Sequence, residues 1–127
     1  MHIDDDMWEQ VAPLIFSAEP AGPGRPYTDV RIVLTAIVYI LLMNISWVKL
    51  PRRRFGTSGI TCWRQFRKWD HDNVWPKIER RLTRAWRRQG HVEWAVQLRD
   101  AASSRLEEMR VREHRKQMRQ RIRRAGR

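Results

Sequence analysis

Residues Thr57 to Asp70 read Thr-Ser-Gly-Ile-Thr-Cys-Trp-Arg-Gln-Phe-Arg-Lys-Trp-Asp and predict the helix around which the domain is built. Either hydroxyl side chain at its start, Thr57 or Ser58, can cap the first free backbone N–H groups. At about 100° per residue, the apolar side chains share one side, which must face a core: Cys62, Trp63, Phe66 and Trp69. The polar side chains gather on the opposite side: Thr61, Arg64, Gln65 and Lys68.

The residues before this helix predict a second, more deeply buried one at about 29–43. Its apolar residues surround it almost completely, so it is expected to be the central core element. Asn44 is expected to end it in the left-handed conformation, and Ser46 then starts a short helix that contains Trp47 and Leu50. The order of helix, tight turn, short helix, loop and helix is typical of a helix-turn-helix. The predicted fold is therefore all-α, a small homeodomain-like helical domain, with Trp8, Leu34, Ile37, Leu41 and Trp47 packed against the apolar side of the first-named helix.

The flanking segments are less regular. Residues 5–15 predict a first helix, residues 17–26 a loop rich in Pro and Gly, and residues 74–88 a further helix that Gly90 ends. Residues 92–98 alternate between apolar and polar as a short strand does. Residues 101–124 allow a helix, but their apolar residues are too sparse for a core face, so we expect a basic arm that is ordered only on a partner. Residues 1–90 are thus predicted as the domain and residues 91–127 as a basic extension.

The charge of the chain is strongly positive. The 127 residues include 26 basic and 14 acidic ones, a net charge of +12. Residues 1–50 carry three basic and six acidic groups, residues 51–90 twelve and three, and residues 91–127 eleven and five. The positive charge is therefore concentrated in residues 51–127. This charge favours a polyanion such as duplex DNA as the partner.

These patterns select a set of candidate DNA-binding residues. Thr61, Arg64 and Gln65 are predicted to contact base edges, since Arg recognises guanine and Gln adenine through paired hydrogen bonds. Arg52, Arg53 and Arg54 in the preceding loop, with Lys68, are predicted to contact phosphates. Ser58, at the start of the helix, is the remaining candidate DNA-binding residue. The alternative is a helix with a solvated basic side and a solvated basic loop.

A series of motifs runs along the chain: Trp8, Pro13-Leu14, Gly24-Arg25-Pro26-x-Thr28-Asp29-x-Arg31-x-Val33-Leu34-x-Ala36-Ile37-x-Tyr39, Trp47-x-x-Leu50-Pro51, Phe55-Gly56, Thr61-x-Trp63-Arg64-x-Phe66-x-x-Trp69 and Val74-Trp75. They cover about 80 of the 127 residues. Together they carry a resemblance to the amino-terminal helix-turn-helix domain of bacterial insertion-sequence transposases. It implies binding to the terminal inverted repeats of a transposon. It also implies that Trp94 and Asp100 match a strand that brings in the family's first metal-binding carboxylate, with Asp100 as its vestigial counterpart.

Catalysis, metals and cofactors are not expected. Two-metal cleavage of DNA needs several carboxylates, and the 27 residues after Asp100 carry ten basic and only three acidic side chains. The four histidines lack metal-ligand spacing, and Cys62, the one cysteine, can complete neither a zinc site nor an internal disulfide. A lone cysteine suits an intracellular, reducing compartment, and the resemblance implies that this is the bacterial cytoplasm with its nucleoid. The apolar run Ile32–Met43 is shorter than the roughly 20 residues that span a bilayer, so no membrane is expected.

Two functions remain open at this point. The first is a truncated or split transposase that binds transposon ends. The second is a protein–protein module, in which residues 91–127 pair with a catalytic subunit or with a second copy in a homodimer.

Overall fold

The computed structural model of the protein describes residues 3–18 and 27–126. Within these ranges the chain forms six α-helices and one 3₁₀ turn: α1 (Asp5–Ala18), α2 (Tyr27–Met43), the 3₁₀ turn (Trp47–Lys49), α3 (Arg52–Phe55), α4 (Gly59–His71), α5 (Trp75–Arg88) and α6 (Val92–Ala125). No residue in these ranges is in a strand. The predicted all-α fold is confirmed. Most of the predicted Pro- and Gly-rich loop, residues 19–26, lies outside the described residues.

Helix α2 is the central element, as predicted. Leu34, Ile37 and Leu41 have no solvent exposure, and α2 packs against both α4 and α6. Helix α5 lies between α1 and α6 and completes the core with Trp75, Ile78, Leu82 and Trp86. Burying one large apolar side chain stabilises a fold by about 1.5–3 kcal/mol, so this continuous cluster is the main favourable contribution that opposes the loss of chain entropy on folding.

The connection from α2 to α4 differs in two respects from its prediction. The predicted short helix is the 3₁₀ turn, which ends before Leu50, and the Ser46 side chain does not cap it. Asn44 has a φ of 51°, the left-handed conformation that Asn tolerates, and α2 ends there as expected. The three arginines predicted as a loop instead form α3, a single helical turn. The backbone N–H groups of Arg54 and Phe55 both donate to the Pro51 carbonyl. Arginine is a good helix former, and Gly56 at φ 73° ends the turn, so the loop prediction was wrong for Arg52, Arg53 and Arg54.

The extension after Gly90 also differs from its prediction. Residues 92–98 form the first part of α6 and not a strand. Their apolar alternation misled the prediction, because the residues that are buried recur every three or four positions: Ala95, Leu98, Ala102 and Leu106. A strand here would have left its backbone groups without a neighbouring strand to bond. Residues 101–124 were also expected to have no core face. This expectation was wrong for their first turns, where Ala102 and Leu106 are buried and α6 packs on α2 and α5.

Two side chains of α6 fix it to the end of α2. The last carbonyl groups of a helix lack partners within that helix. The Leu42 carbonyl accepts a hydrogen bond from the Gln97 side-chain amide, and the Ile45 carbonyl just beyond accepts one from the Arg105 guanidinium. The guanidinium of Arg105 also lies 5.4 Å from the centre of the Trp47 ring. Helix α6 thereby holds the turn on which α4 rests.

Candidate nucleic-acid interface

Helix α4 presents one continuous exposed side, which we call the α4 face. Its residues are Ile60, Thr61, Arg64, Arg67, Lys68 and His71. The opposite side is buried through Cys62, Phe66 and Trp69. Phe66 packs against Trp47 at a ring distance of 5.6 Å and against Trp75 at 4.8 Å. Large aromatic contacts on the inner side therefore hold the outer side in a fixed orientation.

The first turn of α4 is held by a side-chain cap at Ser58. Ser58 accepts a hydrogen bond from the Thr61 backbone N–H, at 3.2 Å, which confirms the predicted cap. The two hydroxyl groups of Ser58 and Thr61 are 2.9 Å apart. Ser58 is therefore occupied in positioning the first turn. The Thr61 side chain is exposed beside it, and its oxygen retains capacity for a further hydrogen bond.

Two residues on the flanks of α4 are placed differently from the prediction. Gln65, expected on the outer side, is only 6% exposed, whereas Trp63, expected in the core, is half-buried. Both side chains lie at the borders between the apolar and polar sides of the helix. Helical spacing alone does not determine which of the two borders is covered by neighbouring elements. In this structure they cover the border with Gln65 and leave the border with Trp63 partly open. The expected outward projection of Gln65 was wrong.

The α4 face includes three residues that the prediction left out, Ile60, Arg67 and His71. Arg67 is exposed, its guanidinium lies 5.4 Å from the centre of the Trp63 ring, and it is 3.5 Å from the Glu113 carboxylate of α6. Ile60 is an exposed apolar side chain in the first turn. The spacing of three between Arg64 and Arg67 is a signal that could have identified Arg67, since such residues are neighbours on a helix surface.

The arginines of α3 lie just before α4 and are all exposed. The guanidinium of Arg54 is 5.3 Å from the centres of the Tyr39 and Phe55 rings, and these two rings are 4.6 Å apart. Stacking on aromatic rings restricts the guanidinium without neutralising its charge. Arg54 is therefore a positioned cation, while Arg52 and Arg53 extend the positive surface around it.

Asp100 lies on the exposed side of α6, where its carboxylate is 3.8 Å from the Arg99 guanidinium. It borders a groove of about 600 Å³ that Leu41, Asn44, Val92, Val96 and Gln97 also line. Within residues 3–18 and 27–126, no three His, Cys, Asp or Glu side chains are grouped so that they could hold a metal ion. In the same part of the chain, no helix combines the length and apolarity needed to cross a membrane.

Comparison with known proteins assigns the chain to a family. The model of a family described as "Putative transposase of IS4/5 family (DUF4096)" matches residues 3–79. The chain belongs to this IS4/5 transposase family. It is also similar to the "Insertion element IS402 uncharacterized 16.2 kDa protein" of Burkholderia cepacia, with 31% identity over 106 residues, 81% of this chain and 72% of that protein. No solved structure matches the chain.

The family relationship covers the elements that form the α4 face. The matched residues of this IS4/5 family member run from the start of the described chain to the first half of α5, and thus include α2, α3 and α4. Asp100 and all of α6 lie outside that match. The resemblance noted from the sequence motifs is therefore confirmed for the helical domain.

Proposed function

We propose that this IS4/5 family member binds duplex DNA through the α4 face and recognises the terminal inverted repeats of an insertion element. The observation that carries the proposal is the division of α4 into an aromatic, buried side and an exposed side with three basic residues, Arg64, Arg67 and Lys68. A helix held rigidly from behind can enter the major groove without rearranging the domain, as the second helix of a helix-turn-helix does.

Base recognition belongs to the first half of the α4 face. Arg64 can bond the O6 and N7 atoms of a guanine, a pairing that gives about 1–3 kcal/mol of discrimination. Thr61 offers a hydroxyl to a base edge, and Ile60 offers an apolar contact to a thymine methyl group. Gln65 has no such role in this proposal, because its side chain is buried.

Phosphate contacts belong to the residues that flank this half. Arg52 and Arg53 project from the turn before α4, and Arg54 is held beside them by its two aromatic rings. Lys68 lies one helical turn beyond Arg64 on the same face. Phosphate contacts fix the register of a protein on DNA and carry no sequence information of their own.

The test compares two arginine variants on two duplexes. Affinity for a terminal-repeat duplex and for a scrambled duplex of equal composition is measured across salt concentrations for the wild type, Arg64→Ala and Arg53→Ala. Arg64→Ala should lose about 1–3 kcal/mol on the terminal repeat and much less on the scrambled duplex. Arg53→Ala should weaken both equally and lower the salt slope by about one. Arg81→Ala, which removes an exposed arginine from α5, is the matched control.

The outcome that contradicts the proposal is equally specific. If Arg64→Ala weakens both duplexes to the same degree, or if the wild type does not distinguish them, α4 is not the recognition helix. Binding that does not weaken as salt rises would contradict phosphate contact altogether.

The proposed role is binding without cleavage. Two-metal phosphodiester cleavage requires carboxylates that hold both ions, and Asp100 stands beside an arginine on an exposed helix. We expect no strand cleavage by the purified chain with Mg²⁺ or Mn²⁺. Nicking that Asp100→Ala abolishes would overturn this expectation.

A second candidate function is protein–protein interaction. Met43 and Val92 are each 52% exposed, and Val92 and Val96 border the groove beside Asp100. An apolar surface of this kind suits a catalytic subunit or a second copy. Sedimentation of the wild type and of Val92→Gln/Val96→Gln tests this candidate, since an apolar contact should persist at high salt where DNA binding is lost.

A further inference from the structure

The second half of α6 leaves the domain. Residues 111–125, which we call the projecting helix, are exposed at every position, whereas the first half of α6 is buried through Ala95, Leu98, Ala102 and Leu106. Fifteen residues of α-helix span about 22 Å. The core needs only the first half of α6, so the projecting helix requires a different explanation.

Two ion pairs locate the base of the projecting helix. The Arg67 guanidinium of α4 is 3.5 Å from the Glu113 carboxylate, and the Arg110 guanidinium is 3.9 Å from the Asp70 carboxylate of α4. Helix α6 thus leaves the domain beside the second half of α4, where Arg67 and Lys68 belong to the α4 face. A duplex bound on the α4 face would lie close to the projecting helix.

The projecting helix is strongly basic. It contains seven basic residues, Arg112, Arg115, Lys116, Arg119, Arg121, Arg123 and Arg124, and one acidic residue, Glu113. Three pairs of like charge are four positions apart, Arg112–Lys116, Arg115–Arg119 and Arg119–Arg123, and each such pair destabilises a helix by about 0.2–0.5 kcal/mol. Phosphate groups placed between these cations would remove the repulsion. The charge pattern therefore fits a polyanion.

A second copy of the chain fits less well. The apolar side chains of the projecting helix are Val111, Met118, Ile122 and Ala125. A helix–helix interface needs apolar residues at two positions in every seven without interruption, and charges of opposite sign beside them. Two projecting helices would instead bring a net charge of +6 against +6.

We propose that the projecting helix is a second DNA-binding element, which contacts the phosphates of the duplex segment next to the one that α4 recognises. The proposal rests on the proposed function of the α4 face. Its contacts are sequence-independent, because its seven arginine and lysine side chains would contact phosphates and not base edges. At about 3.4 Å per base pair, a 22 Å helix would extend the bound region by roughly six base pairs on one side.

The test removes charge from the projecting helix and keeps it helical. The variant Arg115→Gln/Arg119→Gln/Arg123→Gln is compared with Arg80→Gln/Arg84→Gln/Arg88→Gln, which makes the same change at the same spacing on the exposed side of α5. Glutamine has nearly the helix propensity of arginine. Affinity and salt slope are measured on terminal-repeat and scrambled duplexes, and hydroxyl-radical footprints are recorded with a long terminal-repeat duplex.

The two substitutions should differ clearly. Loss of three phosphate contacts should lower the salt slope by about 2.7, shorten the footprint on one side, and leave the ratio of affinities for the two duplexes unchanged. The α5 variant should leave the slope and the footprint nearly unchanged. Equal effects of both variants, or no effect of the α6 variant, would overturn the proposal.

Failure of the α4 assignment has a different signature. If α4 is not the recognition helix, Arg64→Ala should leave the ratio of affinities for the terminal-repeat and scrambled duplexes unchanged. If Val111→Gln/Met118→Gln/Ile122→Gln converts a dimer to a monomer while the arginine variant binds DNA normally, the projecting helix is a protein interface and the proposal fails.

Discussion

A Cβ atom at Gly59 would lie 1.6 Å from the carbonyl oxygen of Trp47 and 2.4 Å from its carbonyl carbon. The first turn of α4 therefore begins in direct backbone contact with the 3₁₀ turn, and only a residue without a side chain fits there. Because backbone atoms cannot move away as a flexible side chain can, this contact sets the position of α4 relative to α2.

Gly59→Ala should accordingly destabilise the domain by about 3 kcal/mol or more, the upper end of the cost of overpacking a core. Gly56→Ala is the matched control. A Cβ atom at Gly56 meets no other atom within 4 Å. The control should therefore lose only the energy of placing alanine at a φ of 73°, about 1–2 kcal/mol. Urea unfolding followed by tryptophan fluorescence measures both. Equal stability losses would show that α4 shifts freely against the 3₁₀ turn.

The two tryptophans of α4 should respond very differently to truncation. Trp69 is 2% exposed within the core, so Trp69→Ala should cost about 3–5 kcal/mol. Trp63 is half-buried and its ring lies under the Arg67 guanidinium, so Trp63→Ala should cost only about 1–2 kcal/mol. Urea midpoints of the two variants provide the comparison. A Trp63→Ala domain as unstable as Trp69→Ala would place Trp63 in the core after all.

The buried position of Gln65 gives a prediction that separates stability from DNA recognition. Gln65→Ala removes a polar side chain that is almost completely buried, and it should destabilise the domain by about 1–3 kcal/mol. Its ratio of affinities for the terminal-repeat and scrambled duplexes should equal that of the wild type. A changed ratio in a stably folded Gln65→Ala protein would mean that this side chain reaches DNA.

Arg105 should stabilise the turn between α2 and α4 from the side of α6. Its guanidinium donates to the Ile45 carbonyl and lies over the Trp47 ring, and both are lost in Arg105→Ala. The site is half-exposed, so the expected cost is about 1 kcal/mol, below the range for buried charged hydrogen bonds. Arg99→Ala is the control, because the Arg99 guanidinium lies beside the exposed Asp100 carboxylate and acts on Glu79 of α5 through its charge. If thermal midpoints of the two variants coincide, Arg105 has no positioning role.

The sequence was sufficient to predict the elements whose faces are unambiguous. The continuous apolar surface of α2, the cap at Ser58 and the left-handed Asn44 all follow from local chemistry, and all are found. What failed depends on neighbours that are distant in sequence. Gln65 and Trp63 stand at the borders of one helix face, and only the packing of other elements decides which border is covered.

The same limit explains the error at α6. Val92, Trp94 and Val96 alternate like a strand, yet Ala95 and Leu98 are the buried residues, because small side chains allow α6 to approach α2 and α5. Alanines carry a weak signal in any periodicity analysis. The hydrogen bonds of Gln97 and Arg105 join residues 55 and 60 positions apart, and no local pattern indicates such partners.

The buried thiol of Cys62 should make stability depend on pH in the alkaline range. Its side chain has no solvent exposure and its S–H lies 4.0 Å from the Val33 carbonyl oxygen, a weak donor contact. Burial raises the pKa of the Cys62 thiol from its ordinary 9.0 to about 11, although a hydrogen bond with the Thr57 side chain partly opposes this. The thiolate is therefore favoured in the unfolded chain before it is favoured in the folded one.

Between the two pKa values the folded state binds more protons than the unfolded state, so stability must fall as pH rises through that window. The rise in the Cys62 pKa from 9.0 to about 11 corresponds to at most about 2.7 kcal/mol of unfolding free energy. The difference in unfolding free energy between wild type and Cys62→Ala should thus be constant below about pH 8 and should shrink toward about pH 11. Urea unfolding at each pH measures it, and the alanine variant cancels the titration of lysine and tyrosine. A pH-independent difference, or rapid alkylation of the native thiol by iodoacetamide, would show that Cys62 is open to water.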